Sequence, residues 1–72
     1  MEARRTINPN GTYCYTLNGQ VVRKASTREF HYMLVKVASG RFIGLGNDPT
    51  TLLNNWKYLY EGCDLRVLKV LS

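Results

Sequence analysis

Three glycines and a helix-start signal fall within one short stretch, SGRFIGLGNDPT at residues 39–50, which is the first candidate for a phosphate-binding loop. Such a loop gathers backbone N–H groups at a helix N-terminus, and in the P-loop a lysine neutralises the phosphate charge. Here no lysine follows the glycines, Asp48 places a carboxylate where the anion would bind, and Pro49 removes an N–H group. We therefore interpret the stretch as a strand end and a turn into a helix, with Asn47 or Asp48 as the helix cap.

The other side chains that could support catalysis or metal binding are few and poorly spaced. The one histidine, His31, would need Asp48 or Asp64 beside it to form a nucleophilic relay, and no spacing supports that arrangement. Cys14 and Cys63 form neither a CxxC pair nor a zinc-binding pattern, so we expect free thiols, with a disulfide as the less favoured alternative. We expect no enzyme activity, no metal and no cofactor.

Charge and composition narrow the class of partner. Ten Lys and Arg residues against five Asp and Glu give a formal charge of +5, which favours a polyanion or an acidic protein surface as partner. A hydrophobic fraction of 44% is that of a globular protein. No apolar run approaches the roughly 18 residues of a membrane span, and the first residues lack the apolar stretch of a signal peptide. These features predict a cytoplasmic protein with no membrane partner.

A first β-hairpin is predicted where TYCYTL and QVVRKA flank Asn18-Gly19, because this dipeptide accepts the positive φ angles of a type I′ turn. Alternation along the two strands separates two faces, of which the tyrosine-bearing face is expected to point inward. That face contains Tyr13, Tyr15, Leu17, Val22 and Lys24, and the opposite face contains Cys14, Thr16, Val21, Arg23 and Ala25.

A second hairpin, a helix and a last strand are predicted to follow. The run FHYMLVKVA turns at Ser39-Gly40 into RFIGL, and both of its faces are apolar, which is typical of central strands. One face has Met33, Val35, Val37 and Phe42, and the other has Phe30, Tyr32, Leu34, Ile43 and Leu45. Apolar residues then recur at helical spacing as an expected inward stripe, namely Leu52, Leu53, Trp56, Leu59 and Tyr60. Gly62 is expected to end the helix before the strand DLRVLKVL.

The predicted order ββββαβ indicates an α+β fold, in which one helix packs on one face of an antiparallel sheet of about five strands. Residues 12–72 are predicted to form this single small domain. Residues 1–11 contain one large aliphatic residue, Ile7, and are predicted to form a flexible arm.

In outline, residues 30–72 resemble the core of the GIY-YIG nucleases, in which a hairpin bearing two motif triplets precedes a helix and a strand. Tyr32 would match the tyrosine of the first triplet, and Phe42-Ile43-Gly44 would match the second. Phe42 lacks the hydroxyl that this family uses, and the helix TTLLNNWKYLY lacks its catalytic arginine. The resemblance therefore implies a shared shape without DNA cleavage.

These observations lead to a binding function. We expect a small non-enzymatic regulator that docks on a nucleic-acid-handling assembly such as RNA polymerase, through a strand edge or through contacts of the basic N-terminal arm. The alternative is direct and mostly electrostatic binding of DNA or RNA, because cations neutralise phosphates and aromatic rings stack on bases. The candidate binding residues are Arg4, Arg5, Arg23, Lys24, Arg28, Arg41, Lys57 and Tyr58.

Overall fold

Six strands and one α-helix make up the fold in a computed structural model that describes residues 1–72. The fold is α+β, as the sequence predicts. The strands are β1 Ala3–Ile7, β2 Tyr13–Leu17, β3 Gln20–Ser26, β4 Tyr32–Lys36, β5 Arg41–Gly46 and β6 Leu65–Leu71. The helix α1 spans Pro49–Trp56 and continues into a 3₁₀ turn at Lys57–Tyr60. Neither helical segment combines the length and the apolar character needed to cross a membrane.

The strands form one mixed sheet in the order β3-β2-β1-β6-β4-β5, rather than the expected five-stranded antiparallel sheet. The additional strand is β1, which lies within the segment predicted to be a flexible arm. It pairs antiparallel with β2 and parallel with β6, so Ala3 stands between Leu17 and Val70. Its backbone is hydrogen-bonded on both sides although its side chains are mostly polar, and this explains why composition did not indicate a strand.

One face of the sheet, here the inner face, carries the hydrophobic core. Six of its residues are buried, and Tyr15, Leu17 and Val22 confirm that the tyrosine face of the first hairpin points inward. The sheet curls around this core until its edge strands approach each other, as shown by the Arg23 guanidinium of β3, which lies 5.8 Å from the centre of the Phe42 ring of β5. The buried set is Ala3, Tyr15, Leu17, Met33, Val35 and Val70.

Two β-bulges in the first hairpin, one between Tyr15 and Thr16 and one between Tyr13 and Tyr15, change which residues of β3 face the core. Thr16 pairs with Val21 while its neighbour Tyr15 pairs with Arg23, so Val22 is the extra residue. Arg23 therefore shares the inner face with Tyr15. Regular alternation along the sequence, which contains no bulge, predicts Arg23 on the opposite face, and that prediction is wrong.

A third bulge has the same effect in β5. Leu34 pairs with Gly44 while the next residue of β4, Val35, pairs with Phe42, so Ile43 is the extra residue. The predicted face assignment is therefore wrong for Leu45, which packs against the core. Gly44 shares the opposite, outer face with Leu34.

Helix α1 packs on the outer face of β4, β5 and β6. Of the two predicted caps, Asn47 and Asp48, it is Asp48 that caps the helix, because its carboxylate accepts a hydrogen bond of 3.1 Å from the Thr50 N–H. Gly44 leaves room for the helix, since a Cβ at this position would lie 3.0 Å from Trp56 Nε1. The predicted inward stripe is wrong at Leu59, which is 59% exposed, because the change from α to 3₁₀ turns rotates this residue away from the sheet.

Candidate interaction surfaces

The residues that first suggested chemistry serve the fold or lie apart. Asp48 caps α1, while Gly44 and Gly46 leave the space that α1 needs to pack on β5. Exposed His31 lies 3.6 Å from a carboxylate oxygen of Glu29, measured from Nε2. No three His, Cys, Asp or Glu side chains in residues 1–72 are grouped in a way that would hold a metal ion.

The other candidate pairs are also not brought together. Tyr32 pairs with Gly46 while Phe42 pairs with Val35 three residues along β4, so Tyr32 and Phe42 lie on opposite faces of the sheet. The hairpin therefore does not assemble the two positions that the nuclease resemblance would require to act together. Both cysteines, Cys14 and Cys63, are free and half-buried.

Arg5 is an internal structural residue and does not lie on a free arm. Its side chain is 10% exposed and reaches the loop between β3 and β4, where Nη1 donates a hydrogen bond of 2.8 Å to the Phe30 carbonyl oxygen. Nη2 lies 3.5 Å from a Glu29 carboxylate oxygen, and the guanidinium lies 5.6 Å from the centre of the Tyr13 ring. Arg5 is therefore not available for binding a partner.

The loop between β3 and β4 is fixed by further hydrogen bonds from the core. The buried Tyr15 hydroxyl accepts a hydrogen bond from the Phe30 N–H at 2.7 Å and donates one to the Arg28 carbonyl oxygen at 3.0 Å. On the other side, the Asn47 side chain accepts from the His31 N–H and donates to the Glu29 carbonyl oxygen. Exposed Arg28 is thus attached to an ordered backbone.

Four basic residues lie at the end of the sheet where β4 ends and β5 begins, two on each face, and we call this group the basic end: Arg23, Lys36, Arg41 and Arg66. Lys36 and Arg41 are directly opposed partners in the antiparallel ladder. Val35 pairs with Phe42 on one side and with Arg66 on the other, which places Arg66 in the same cross-strand row as Phe42. Arg23 completes the group from β3, across the curl of the sheet.

No carboxylate oxygen lies within 4.0 Å of any nitrogen of these four cations, because the ion pairs of the chain involve only Arg4, Arg5 and His31. The neighbouring acid is Asp64, whose backbone carbonyl accepts a hydrogen bond from the Val37 N–H at 2.9 Å. The Asp64 carboxylate is exposed and forms no ion pair. The positive charge of the basic end is therefore open to an external anion.

A second exposed surface is the part of the outer face that α1 leaves uncovered, and we call it the open face. One cross-strand row runs across it from β3 to β6, because Val21 pairs with Thr16, Thr16 with Arg4, and Arg4 with Leu71. Val21 is 53% exposed and Leu71 is 43% exposed. The adjoining row adds Thr6 and Cys14. The open face is thus defined as Arg4, Thr6, Cys14, Thr16, Val21 and Leu71.

The last predicted pair, Lys57 and Tyr58, lies beside a surface groove of about 460 Å³ after the helix. Glu61 and Asp64 line the same groove. Two carboxylates in the lining make the groove a poor site for a polyanion, although Lys57 and the exposed Tyr58 ring are adjacent as the sequence suggested.

The structure thus divides the eight predicted binding residues among several places. Arg23 and Arg41 both belong to the basic end. Arg4 lies on the open face and forms an ion pair of 3.2 Å with Glu2. Lys24 is exposed near the loop between β1 and β2. Sequence reasoning missed Lys36 and Arg66 as members of the basic end, because only the strand register brings them beside Arg41.

No protein-family model, curated protein or solved structure matches this chain.

Proposed function

We propose that this protein is a small non-enzymatic regulator that docks, through its open face, on a protein of a nucleic-acid-handling assembly such as RNA polymerase. The observation that carries the proposal is the half-covered outer face of the sheet. Helix α1 packs against β4, β5 and β6, whereas the row from Val21 to Leu71 has its apolar ends exposed.

The side-chain types of the open face suit a protein partner. Single exposed apolar residues are normal on a soluble protein, but here Val21 and Leu71 stand at the two ends of one row around Thr16 and Arg4. Protein interfaces are enriched in arginine, and lysine and acidic residues are depleted at their centres. Among the six residues of the open face the one charged side chain is Arg4, and its charge is already paired with Glu2, which favours a protein surface over a phosphate backbone as the partner.

The class of partner is suggested by charge outside the open face. Of the ten Lys and Arg residues, all except Arg4 and Arg5 lack a carboxylate within ion-pair distance. These eight cations give the molecule a positive field that attracts acidic surfaces and nucleic-acid complexes and raises the rate of association with them. A standard interface needs about 800 Å² from each partner. The exposed surface of this chain is 4732 Å², so a standard interface would use only part of it.

Affinity capture tests the proposal. Tagged protein is used as bait in a lysate of cells that express it, with and without nuclease treatment, and captured proteins are identified by mass spectrometry. We expect subunits of a nucleic-acid-handling assembly to be retained after nuclease treatment. They should be lost with the double variant Val21→Glu and Leu71→Glu, because two charges would be buried in the interface.

A matched control separates the open face from a general effect of added acids. Ile7→Glu combined with Leu59→Glu makes the same change at two exposed apolar positions outside the open face. This control should retain the captured assembly. Equal loss from both double variants, or retention of nothing after nuclease treatment, would contradict docking through the open face.

A further inference from the structure

We infer that the basic end binds the phosphodiester backbone of nucleic acid, independently of base sequence. This inference goes beyond docking on a protein and does not depend on it. It rests on the positions of Arg23, Lys36, Arg41 and Arg66 around Phe42.

Lys36 and Arg41 bring two positive charges directly opposite each other in the antiparallel ladder of β4 and β5. Like charges directly opposite each other in an antiparallel ladder are destabilising, and a fold usually relieves them with a carboxylate nearby. Neither residue has such a partner within 4.0 Å. An external phosphate that contacts both side chains would replace this repulsion with two attractive interactions.

Arg23 and Arg66 extend the positive charge to the inner side of the same end. Arg66 follows Val35 and Phe42 in one cross-strand row, while the Arg23 guanidinium lies 5.8 Å from the centre of the Phe42 ring. Contact with an aromatic ring restricts the planar guanidinium and leaves its N–H groups able to form a bidentate contact with phosphate. The basic end therefore presents cations on both faces of the sheet.

Access to this end is open because the connection between β4 and β5 is a short turn of small residues. Ala38, Ser39 and Gly40 are all exposed, and Gly40 has a φ of +67° that allows the chain to reverse tightly. No bulky side chain follows Val37 before Arg41. A chain of phosphates could thus approach Lys36 and Arg41 over the turn.

Salt-dependent binding provides the test. The probe is a short fluorescein-labelled oligo-dT, and a labelled DNA duplex is measured in parallel by fluorescence anisotropy between about 50 and 200 mM salt. For a single strand that contacts four cations, the logarithm of the association constant should fall against the logarithm of salt concentration with a slope of about −3. The double variant Arg41→Gln and Arg66→Gln should halve this slope and weaken binding in low salt.

The control removes the same number of charges elsewhere. Arg28→Gln combined with Lys69→Gln changes a residue of the β3–β4 loop and a residue opposite Tyr32, at the other end of β4 from Lys36. It should keep most of the slope. Circular dichroism and thermal melting of both double variants show whether each remains folded.

Three outcomes would overturn the inference: no binding of either probe in low salt, equal loss from both double variants, or equally tight binding of polyglutamate. Equal loss would indicate a general charge effect, and binding of polyglutamate would indicate an acidic protein as the ligand. Because this assay contains no protein partner, its failure is distinct from failure of the capture experiment.

Discussion

Adjacent arginines show how strand alternation separates structural and exposed roles at the scale of single residues. Arg4 projects from the open face and forms an exposed ion pair with Glu2, whereas Arg5 projects inward and holds the Phe30 carbonyl oxygen and Glu29. The same residue type one position apart thus contributes to a surface in one case and to the fold in the other. Position relative to the sheet, rather than charge, determines which arginine is free.

Single substitutions should separate these two roles. Arg5→Ala should lower the free energy of unfolding by about 1.5 to 3 kcal/mol, because the Phe30 carbonyl loses a hydrogen bond from a charged donor. Arg4→Ala should change it by less than about 0.5 kcal/mol, because its ion pair is exposed. Urea denaturation measures both values. Equal values for the two variants would show that the internal contacts of Arg5 contribute little.

The basic end allows a prediction that separates stability from binding. Arg41→Glu places an acid opposite Lys36 and should raise the free energy of unfolding by about 0.2 to 1 kcal/mol. The same variant should bind oligo-dT more weakly than the native protein. Urea denaturation and anisotropy are the measurements, with Arg28→Glu as the control at an exposed loop residue. A destabilised Arg41→Glu variant would show that the two side chains do not interact across the strands.

At the scale of elements, local signals in the sequence were sufficient for some structures and not for others. Asn18 and Gly19 have the predicted positive φ angles, 52° and 84°, because this turn chemistry is contained within the two residues. The cap at Asp48 is equally local. Strand β1 depends on pairing with β6 at the other end of the sequence, and the bulges at Val22 and Ile43 depend on how the sheet curls.

The same reasoning applies to the candidate sites. Residue type alone identifies Arg23 and Arg41 as candidates, but nothing in the sequence shows that they lie at the same end of the sheet. Lys36 and Arg66 join them through the register of β4 with its two neighbouring strands. Clusters that depend on register between distant strands are not contained in any local pattern.

The contact of α1 with β5 can be tested at two glycines. Gly44→Ala should destabilise the protein by about 1 to 2 kcal/mol, because the new Cβ would lie 3.0 Å from Trp56 Nε1 and the ring must move. Gly46→Ala should have a smaller effect, since its nearest atom, Leu52 Cβ, would be at 3.4 Å. Thermal melting and tryptophan fluorescence measure the two effects. A larger loss at Gly46 would contradict the described packing of the helix.

For the molecule as a whole, β1 joins two groups of strands that have few other connections. It lies between the first hairpin, β2 and β3, and the group of β6, β4 and β5. The inner-face core also spans both groups, since Tyr15 and Val70 belong to the same cluster. In a chain of 72 residues, where a single core provides only about 3 to 5 kcal/mol, loss of a central strand exceeds the available stability.

Removal of residues 1–11 should therefore unfold the remaining chain. We expect circular dichroism of residues 12–72 alone to show no cooperative melt, and a synthetic peptide of residues 1–11 to restore one in a concentration-dependent way. A peptide with Ala3→Glu should fail to do so, because Ala3 is buried between Leu17 and Val70. A cooperative melt of residues 12–72 without any peptide would show that β1 is dispensable.

The parallel pairing of β1 with β6 also affects how the protein is made. Residues 3–7 leave the ribosome early, but the strand that completes their pairing, Leu65–Leu71, is synthesised about sixty residues later. The sheet therefore cannot close until both strands have been made, whereas each hairpin can form as soon as its own two strands are available. Closure of the sheet is thus expected to be a late step of folding, at a rate set by how quickly β1 and β6 meet.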